Sequence, residues 1–393
     1  MLSWTGQEWG PAGAPGTIIL NHPGSLRSML LPPTDLSAGE AYVFDDVDFD
    51  GDLESILDFG ARLGEARKPF LSKMRLLRLL RQLPEEVRRD VADRPRFSGF
   101  LHSKRRDKTA VSHHYDTGNG FFEQFLDPQL VYSCAHFLDP EEPLEIAQRR
   151  KLDMVCRKLK LVPGMNLLDV GCGWGALVVH AAQHYGVTAT GITLSEQQAT
   201  EARRRAERAG VADRVTIEER DYRDVTGSYD AIASIGMVEH VGRKELTRYF
   251  KTLRSVLAPG GQILNHGIVT RDRNIRHKTA TFVNTYVFPD GELATVDSVV
   301  GTAEENGLEL RDVESLRVSY ALTLRHWVAN LEKNREAVVD IAGEKIYRIW
   351  RLYMAGSAVA FDRAALSVYQ LLLSDPARPW TYGRSGLLAG DDR

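Results

Sequence analysis

Cysteine is scarce in this sequence of 393 residues. The three present, Cys134, Cys156 and Cys172, form no Cys-x-x-Cys pair and are odd in number. A disulfide framework or a zinc ribbon is therefore not expected, and a reducing, cytoplasmic location is. Long apolar runs are missing too. No stretch approaches the roughly 18 residues needed to span a bilayer, so any membrane association is expected to be peripheral, at the inner face. The start, Met1-Leu2-Ser3-Trp4-Thr5-Gly6, lacks a basic residue followed by an apolar segment, and no signal peptide is expected. A net charge of only −3 gives no global reason to expect nucleic acid as a partner. Internal repeats and low-complexity tracts are also absent. Gly10 to Gly16 and Gly386 to Arg393 are rich in Gly, Pro and Asp and are expected to fray.

What is present is ordinary for a globular protein, with 43% hydrophobic and 26% charged residues and enough length for two domains. The first third differs in texture from the rest. Residues Thr17 to Leu31 and Ala41 to Phe49 alternate apolar and polar side chains between turn signals, which predicts short strands. Helical spacing follows over Leu53 to Leu63 and Leu71 to Leu83. Positive charge is concentrated locally: Arg62 to Lys108 holds fifteen Lys or Arg against six Asp or Glu. Its core, Lys73-Met74-Arg75-Leu76-Leu77-Arg78-Leu79-Leu80-Arg81, is a basic amphipathic helix. Such a helix can pack its Leu side on a neighbouring domain, or dock on an anionic membrane surface, where each basic residue adds about 1 kcal/mol. Asp46-Val47-Asp48-Phe49-Asp50-Gly51 imitates the start of a calcium loop, but the twelfth position is Leu57 rather than a bidentate Glu. An acidic turn is expected there instead.

From Asn166 onward strands and helices alternate. Strands are predicted at Asn166–Val170, Val187–Thr193, Val215–Glu219, Ala231–Ile235 and Gln262–Ile268. Helices are predicted at Ala176–Tyr185, Ser195–Gly210 and Lys244–Leu257, the second capped by Ser195 and stopped by Gly210. This pattern implies an α/β fold with a parallel, doubly wound, Rossmann-like sheet. The domains are expected at 1–108, a smaller α+β unit with the basic helical linker, and 109–393. The first strand of the alternation runs into Asp169-Val170-Gly171-Cys172-Gly173-Trp174-Gly175, where glycines let a ligand approach the backbone and Asp169 can accept a hydrogen bond. A dinucleotide fingerprint is disfavoured, because the third glycine comes one residue early and the second strand ends in Thr193-Leu194-Ser195 without an acid. Asp221 and Tyr222 follow the third strand, where an adenine would lie, although a polar loop would read the same way.

Several segments together resemble the cyclopropane-fatty-acyl-phospholipid synthase family, which includes the mycolic acid cyclopropane synthases. They are His114-Tyr115-Asp116-Thr117-Gly118-Asn119, Tyr132-Ser133-Cys134-Ala135-His136-Phe137, Leu168 to Gly175, Gly191 to Ser195 with Gln198, Gly236 to Gly242, His266-Gly267-Ile268, Tyr286 to Gly291, and Tyr320 ahead of Leu324 and Trp327. The likeness runs from about His113 to Ser374, and the order and spacing are more specific than any single motif. The resemblance implies a class I methyltransferase fold and S-adenosylmethionine as cofactor, held by Tyr132, Ser133, Gly171, Gly173, Thr193, Leu194 and Gln198. It assigns Cys134 (through its backbone amide), Glu239, His266, Ile268 and Tyr320 to a bound bicarbonate ion acting as base. It also implies an N-terminal lipid-binding domain, an unsaturated fatty acyl substrate, and by extension an anionic membrane surface and a second copy of the chain as partners.

The chemistry has a use for each part. An alkene is a poor nucleophile, and holding it in line with a sulfonium methyl can supply about 7–11 kcal/mol. The resulting carbocation must be kept from water, and aromatic faces stabilise it by about 0.5–2 kcal/mol each. Phe137, Phe282, Tyr286, Phe288, Tyr320 and Trp327 are available for this. Loss of a proton from the added methyl group closes a cyclopropane, loss from a neighbouring carbon gives a methylene branch, and capture by water gives a hydroxylated chain. The complete bicarbonate set favours the ring. Glu239 beside His240 invites a metal reading, but adjacent residues point apart and no third ligand presents itself, so no metal is expected. A heteroatom methyltransferase would need neither the bicarbonate set nor the basic helix, and a silent lipid scaffold would not need Glu239 and His266.

Overall fold

The computed structural model describes residues 1–65, 70–85, 100–115, 117–272 and 281–377. The chain forms two compact units, and both are discontinuous in sequence. The first combines Met1–Arg96 with Arg276–Pro289 and Trp327–Ala360. It holds a two-stranded antiparallel sheet of Gly16–Leu20 (β1) and Val47–Gly51 (β2), with Ile18 opposite Phe49.

The expected strands are only half present here. The chain leaves β1 at Leu20 for a short helix, Ser25–Leu30, and Ala41–Val43 end a second helix, Asp35–Val43. Thr34 explains that helix: its hydroxyl accepts from the Ser37 amide and its own amide donates back to the Ser37 hydroxyl, a capping box that commits the next turns. Ala41, Tyr42 and Val43 are all buried, which a helix between two packing surfaces permits and a one-sided strand does not. The acidic stretch expected as a turn is strand β2, where Asp48 pairs with Arg348 at 3.2 Å. The helices Leu53–Glu65 and Phe70–Leu80 fall where the periodicity places them. The terminus beyond residue 377 lies outside the described residues.

The second unit combines Phe97–Ile275, Asp290–His326 and Phe361–Arg393. Its sheet contains Asn166–Val170 (β3), Thr188–Thr193 (β4), Val215–Glu219 (β5), Tyr229–Ile235 (β6), Leu257–Thr270 (β7), Glu309–Ser315 (β8) and Leu366–Ser374 (β9). The spatial order is β5-β4-β3-β6-β7-β9-β8. The first five neighbours are parallel, and β9 runs antiparallel to both β7 and β8. This is the α/β fold with a mostly parallel sheet that the alternating pattern implied. Ser195 caps helix Glu196–Arg208 by accepting from the Gln198 amide, and Gly210 follows its end with φ +69°. One face of the sheet buries Ala233, Leu264 and Leu372 against Leu152, Val155 and Ala181. The other buries Leu168, Ile232 and Ile263 against Tyr249, Phe250 and Leu253.

Three of the fifteen basic residues of Arg62 to Lys108 pair with acids inside this unit. Arg106 makes a two-pronged pair with Asp290 (2.5 and 2.7 Å), Lys104 pairs with Asp224 and Lys108 with Glu219. Helix Phe70–Leu80 is different: Met74, Leu76 and Leu79 are 42–52% exposed beside exposed Arg75 and Arg78.

Tight packing in the first unit can be tested at Gly39. A Cβ there would lie 2.3 Å from Cδ2 of the Phe282 ring. Gly39→Val should therefore cost about 1–3 kcal/mol, read as a lower urea midpoint at unchanged slope. An unmoved midpoint would show that the ring has room to yield.

Candidate active site

The order of strands places a crevice in the sheet. From β3 the chain winds outward through β4 to β5, and from β6 it winds the other way, so the loops leaving β3 and β6 diverge at a topological switch point. The loop after β3 is the glycine turn. Gly171 has φ +82°, and a Cβ on it would stand 2.6 Å from Cγ of Met237, in the loop after β6. Gly173 has φ +53° and nothing within 4 Å of its missing Cβ. One glycine thus lets the two loops meet, and the other leaves an open cradle.

Around the cradle, the buried Asp169 carboxyl is pushed up to about 7 by burial, against the pull of Lys151. Thr193 donates to Gln198 Oε1 at 2.8 Å, and its oxygen accepts from the Ser195 amide, so the turn containing Leu194 is internally fixed. Trp174 Nε1 donates to Asn119 at 2.8 Å, joining two of the recognised segments. The Trp174 ring lies 5.1 Å from Phe122, which in turn lies 5.6 Å from Tyr132. Asp221 spends both carboxylate oxygens on Arg223 (2.7 and 2.5 Å), which the capping turn Tyr222–Asp224 brings back. Tyr222 is 9% exposed, with its ring 5.5 Å from Tyr249, as a core residue. Asp116 lies outside the described residues.

Tyr132 and Ser133 sit on an irregular strap held from helix Leu144–Lys158. Gln148 donates to the carbonyls of Val131 (3.2 Å) and Ser133 (2.8 Å), and Lys151 Nζ donates to the Ser133 hydroxyl at 2.8 Å. Lys151 is 1% exposed, and burial lowers its ammonium to about 8. Cys134 is buried, its thiol pushed far above the usual range by desolvation, which removes it as a nucleophile.

Three of the proposed anion ligands, Glu239, His266 and Ile268, lie on or against the second half of β7. Glu239 Oε1 accepts from the Ile268 amide at 2.8 Å, and its own carbonyl accepts from the Glu292 amide. Glu239 Oε2 is buried with no hydrogen-bond partner and lies 3.5 Å from the point where a Cβ on Gly267 would stand. Burial pushes this carboxyl up to about 7. His266 is 2% exposed; Gln370 of β9 lies 3.2 Å from its Nδ1, and its Nε2 is buried without a partner. Burial, helped by Lys151 and Lys158, keeps this imidazole neutral. The other two residues, Tyr320 and Cys134, are both tied to Leu316. Its amide donates to Val368 O, the register partner of Ile268, while its carbonyl accepts from the Tyr320 amide and, at 3.7 Å, from Cys134 Sγ.

The aromatic residues expected to shield a cation are divided between the two units. In the methyltransferase unit Phe137 stacks on His326 at 5.1 Å, and the Tyr320 ring lies tilted against Phe361 at 4.7 Å. Phe282, Tyr286, Phe288 and Trp327 belong to the other unit, where Tyr286 donates to Glu40 at 2.8 Å and Phe288 meets Tyr353. The sequence reading missed Gln148, Lys151 and Gln370. Their signal was available: Gln148 and Lys151 interrupt the buried stripe Leu144, Ala147, Leu152, Val155, and Gln370 interrupts an apolar strand.

A class I fold with a glycine cradle at the switch point, ringed by residues suited to an adenosyl group, defines an S-adenosylmethionine-dependent methyltransferase. Residues 102–371 match the family model described as mycolic acid cyclopropane synthetase, and the chain belongs to that family. It is 37% identical over 389 residues to a probable fatty acid methyltransferase of Pseudomonas putida, covering 96% of this chain and 93% of that one. It is 35% identical to the cyclopropane-fatty-acyl-phospholipid synthase of Escherichia coli K12, over 78% of each. The solved cyclopropane synthase MmaA2 from Mycobacterium tuberculosis superposes with TM-score 0.65 at 32% identity, over 68% of this chain and 98% of that one. The mycolic acid cyclopropane synthase CmaA1, solved in complex with SAH and CTAB, gives the same figures.

The state of Glu239 has a measurable consequence for stability. Its folded value lies near 7 against an ordinary 4.5, so between these values the native state binds more protons and stability falls as pH rises. Glu239→Gln removes that penalty. It should raise stability by at most about 3 kcal/mol at pH 8, with the gain vanishing toward pH 4, in urea unfolding across this range. An equal gain at both ends would mean that the carboxyl is not held up.

Proposed function

We propose that this enzyme transfers a methyl group from S-adenosylmethionine to the cis double bond of an unsaturated fatty acyl chain in phospholipid, with closure to a cyclopropane. The observation that carries the reading is that Glu239 Oε2 and His266 Nε2 are both buried without a partner, one on the loop packed against β7 and the other on β7 itself. A small anion fits such a pair, since an acceptor and a donor are each left without a partner. Tyr132, Ser133, Gly171, Gly173, Thr193, Leu194 and Gln198 would hold S-adenosylmethionine, which supplies an electrophilic methyl group. Glu239, His266, Tyr320 and the amides of Cys134 and Ile268 would hold bicarbonate, which supplies a base too small to crowd the acyl chain. Glu239 orients by accepting through Oε2, and the buried strand end keeps bulk water away. The name of the Pseudomonas relative keeps a methyl- or methylene-branched product as the second reading.

The N-terminal unit would meet the lipid. Helix Phe70–Leu80 offers exposed Met74, Leu76 and Leu79 among Arg75, Arg78 and the following Arg81, an arrangement suited to an anionic bilayer. No described helix is long and apolar enough to cross one.

Purified protein given S-adenosylmethionine, bicarbonate and vesicles of monounsaturated phospholipid should yield fatty acids heavier by one CH2 that resist mild hydrogenation. Uptake of hydrogen would establish the branched product, and no mass gain on any acyl lipid would sink the reading. Glu239→Ala should lower kcat by about 10²-fold or more. In the wild type kcat should climb as pH rises through the value near 7, as Glu239 ionises. The triple variant Arg75→Glu, Arg78→Glu, Arg81→Glu should weaken sedimentation with anionic vesicles by roughly 10²-fold, about 1 kcal/mol per residue. Unchanged sedimentation would remove this helix from the docking surface.

A further inference from the structure

The partner of His266 is a glutamine, and that choice decides which imidazole nitrogen carries the proton. Gln370 faces His266 directly in the antiparallel pairing of β7 and β9, with its Nε2 3.2 Å from His266 Nδ1. An amide nitrogen only donates, so Nδ1 must accept and be unprotonated. Two ammonium groups on helix Leu144–Lys158, Lys151 and Lys158, oppose a second proton on the ring, and Lys158 is in turn paired with Glu314, the register partner of Gln370 on β8. The single proton is left on Nε2, the buried atom with no partner.

We infer that Gln370 is a positioning residue for methyl transfer: it fixes His266 as the Nε2–H tautomer, so that the ring presents a hydrogen-bond donor, and not a lone pair, to the anion held with Glu239. The inference rests on the bicarbonate reading for its purpose, but not for its geometry. A donor at this point attracts an anion, whereas a lone pair repels it. The neighbouring carboxylate Glu239 supplies only acceptors, so without the Nε2 proton two acceptors would face one ion. A carboxylate in place of the Gln370 amide would demand the opposite arrangement. It accepts from Nδ1–H, and leaves Nε2 protonated only while the ring is an imidazolium.

Long-range proton–nitrogen NMR on the full-length enzyme labelled in histidine reads the tautomer directly, with the His266 signals identified by their loss in His266→Asn. The wild type should show Nε2 protonated and Nδ1 bare from pH 6 to 9, a range set by the assay. Gln370→Glu should protonate Nδ1 and make Nε2 lose its proton as pH rises. Its kcat should fall along the same curve, by about 10²-fold as when one preorganised donor is removed, with KM for S-adenosylmethionine unchanged. A structural role alone would move neither the tautomer nor the shape of the pH profile. A protonated Nδ1 in the wild type overturns the assignment with no variant needed, as does wild-type kcat at every pH in Gln370→Glu. If the tautomer is as inferred but turnover is indifferent to added bicarbonate, the assignment stands and the identity of the anion falls.

Discussion

A buried carboxylate with one oxygen satisfied and the other bare is costly, and the rest of the site is arranged around keeping it so. Leaving a buried acceptor unpaired costs about 1–3 kcal/mol, more when it is charged. Glu239 is held there from three directions: its Oε1 by the Ile268 amide, its backbone by the Glu292 amide, and its loop by Met237 lying against Gly171. The loop also packs closely on β7 at Gly267, where a Cβ would strike Val238 at 2.2 Å. In the proposed reading, an anion with a hydroxyl to donate would relieve that cost and turn it into affinity and orientation.

The glycine turn and the loop bearing Glu239 meet where Met237 lies against Gly171. The sheet reverses its winding between β3 and β6, which brings the cofactor turn and the Glu239 loop to adjoining positions. The strap bearing Tyr132, Ser133 and Cys134 then borders both, tied on one side to Gln148 and Lys151 and on the other to Thr323 and Ser319. Under the proposed reading, cofactor and base would share a common frame. Positional coupling of this kind matters for a carbocation, whose fate depends on which proton is nearest when it forms.

Local signals carried most of the catalytic unit. Apolar strands at β3, β4 and β5, the Ser195 cap and the glycine turn are all short-range features, and they appear where the periodicity and the capping chemistry put them. Features that hydrophobic periodicity does not carry were not legible. The Ala41–Val43 segment looks like a strand until the capping box at Thr34 commits it to a helix, and β8 and β9 pair antiparallel at the edge, against the parallel rhythm before them. The site divides likewise. Glu239 and His266 announced themselves through family motifs, but Gln370 is 104 positions from the histidine it contacts, and only the register of two strands reveals the pair. The basic stretch illustrates the limit of counting charges, since Lys104, Arg106 and Lys108 answer to acids of their own unit.

The insertion of β9 between β7 and β8 also bears on the order in which the molecule matures. β7 is synthesised about a hundred residues before its outer neighbour, and β8 has no place in the sheet until β9 arrives to bridge it. A nascent chain can therefore complete its cofactor cradle from β3 to β6 while His266 still awaits Gln370. β9 is thus the last of the described strands to arrive, and it is the one that completes both the antiparallel edge and the His266–Gln370 contact.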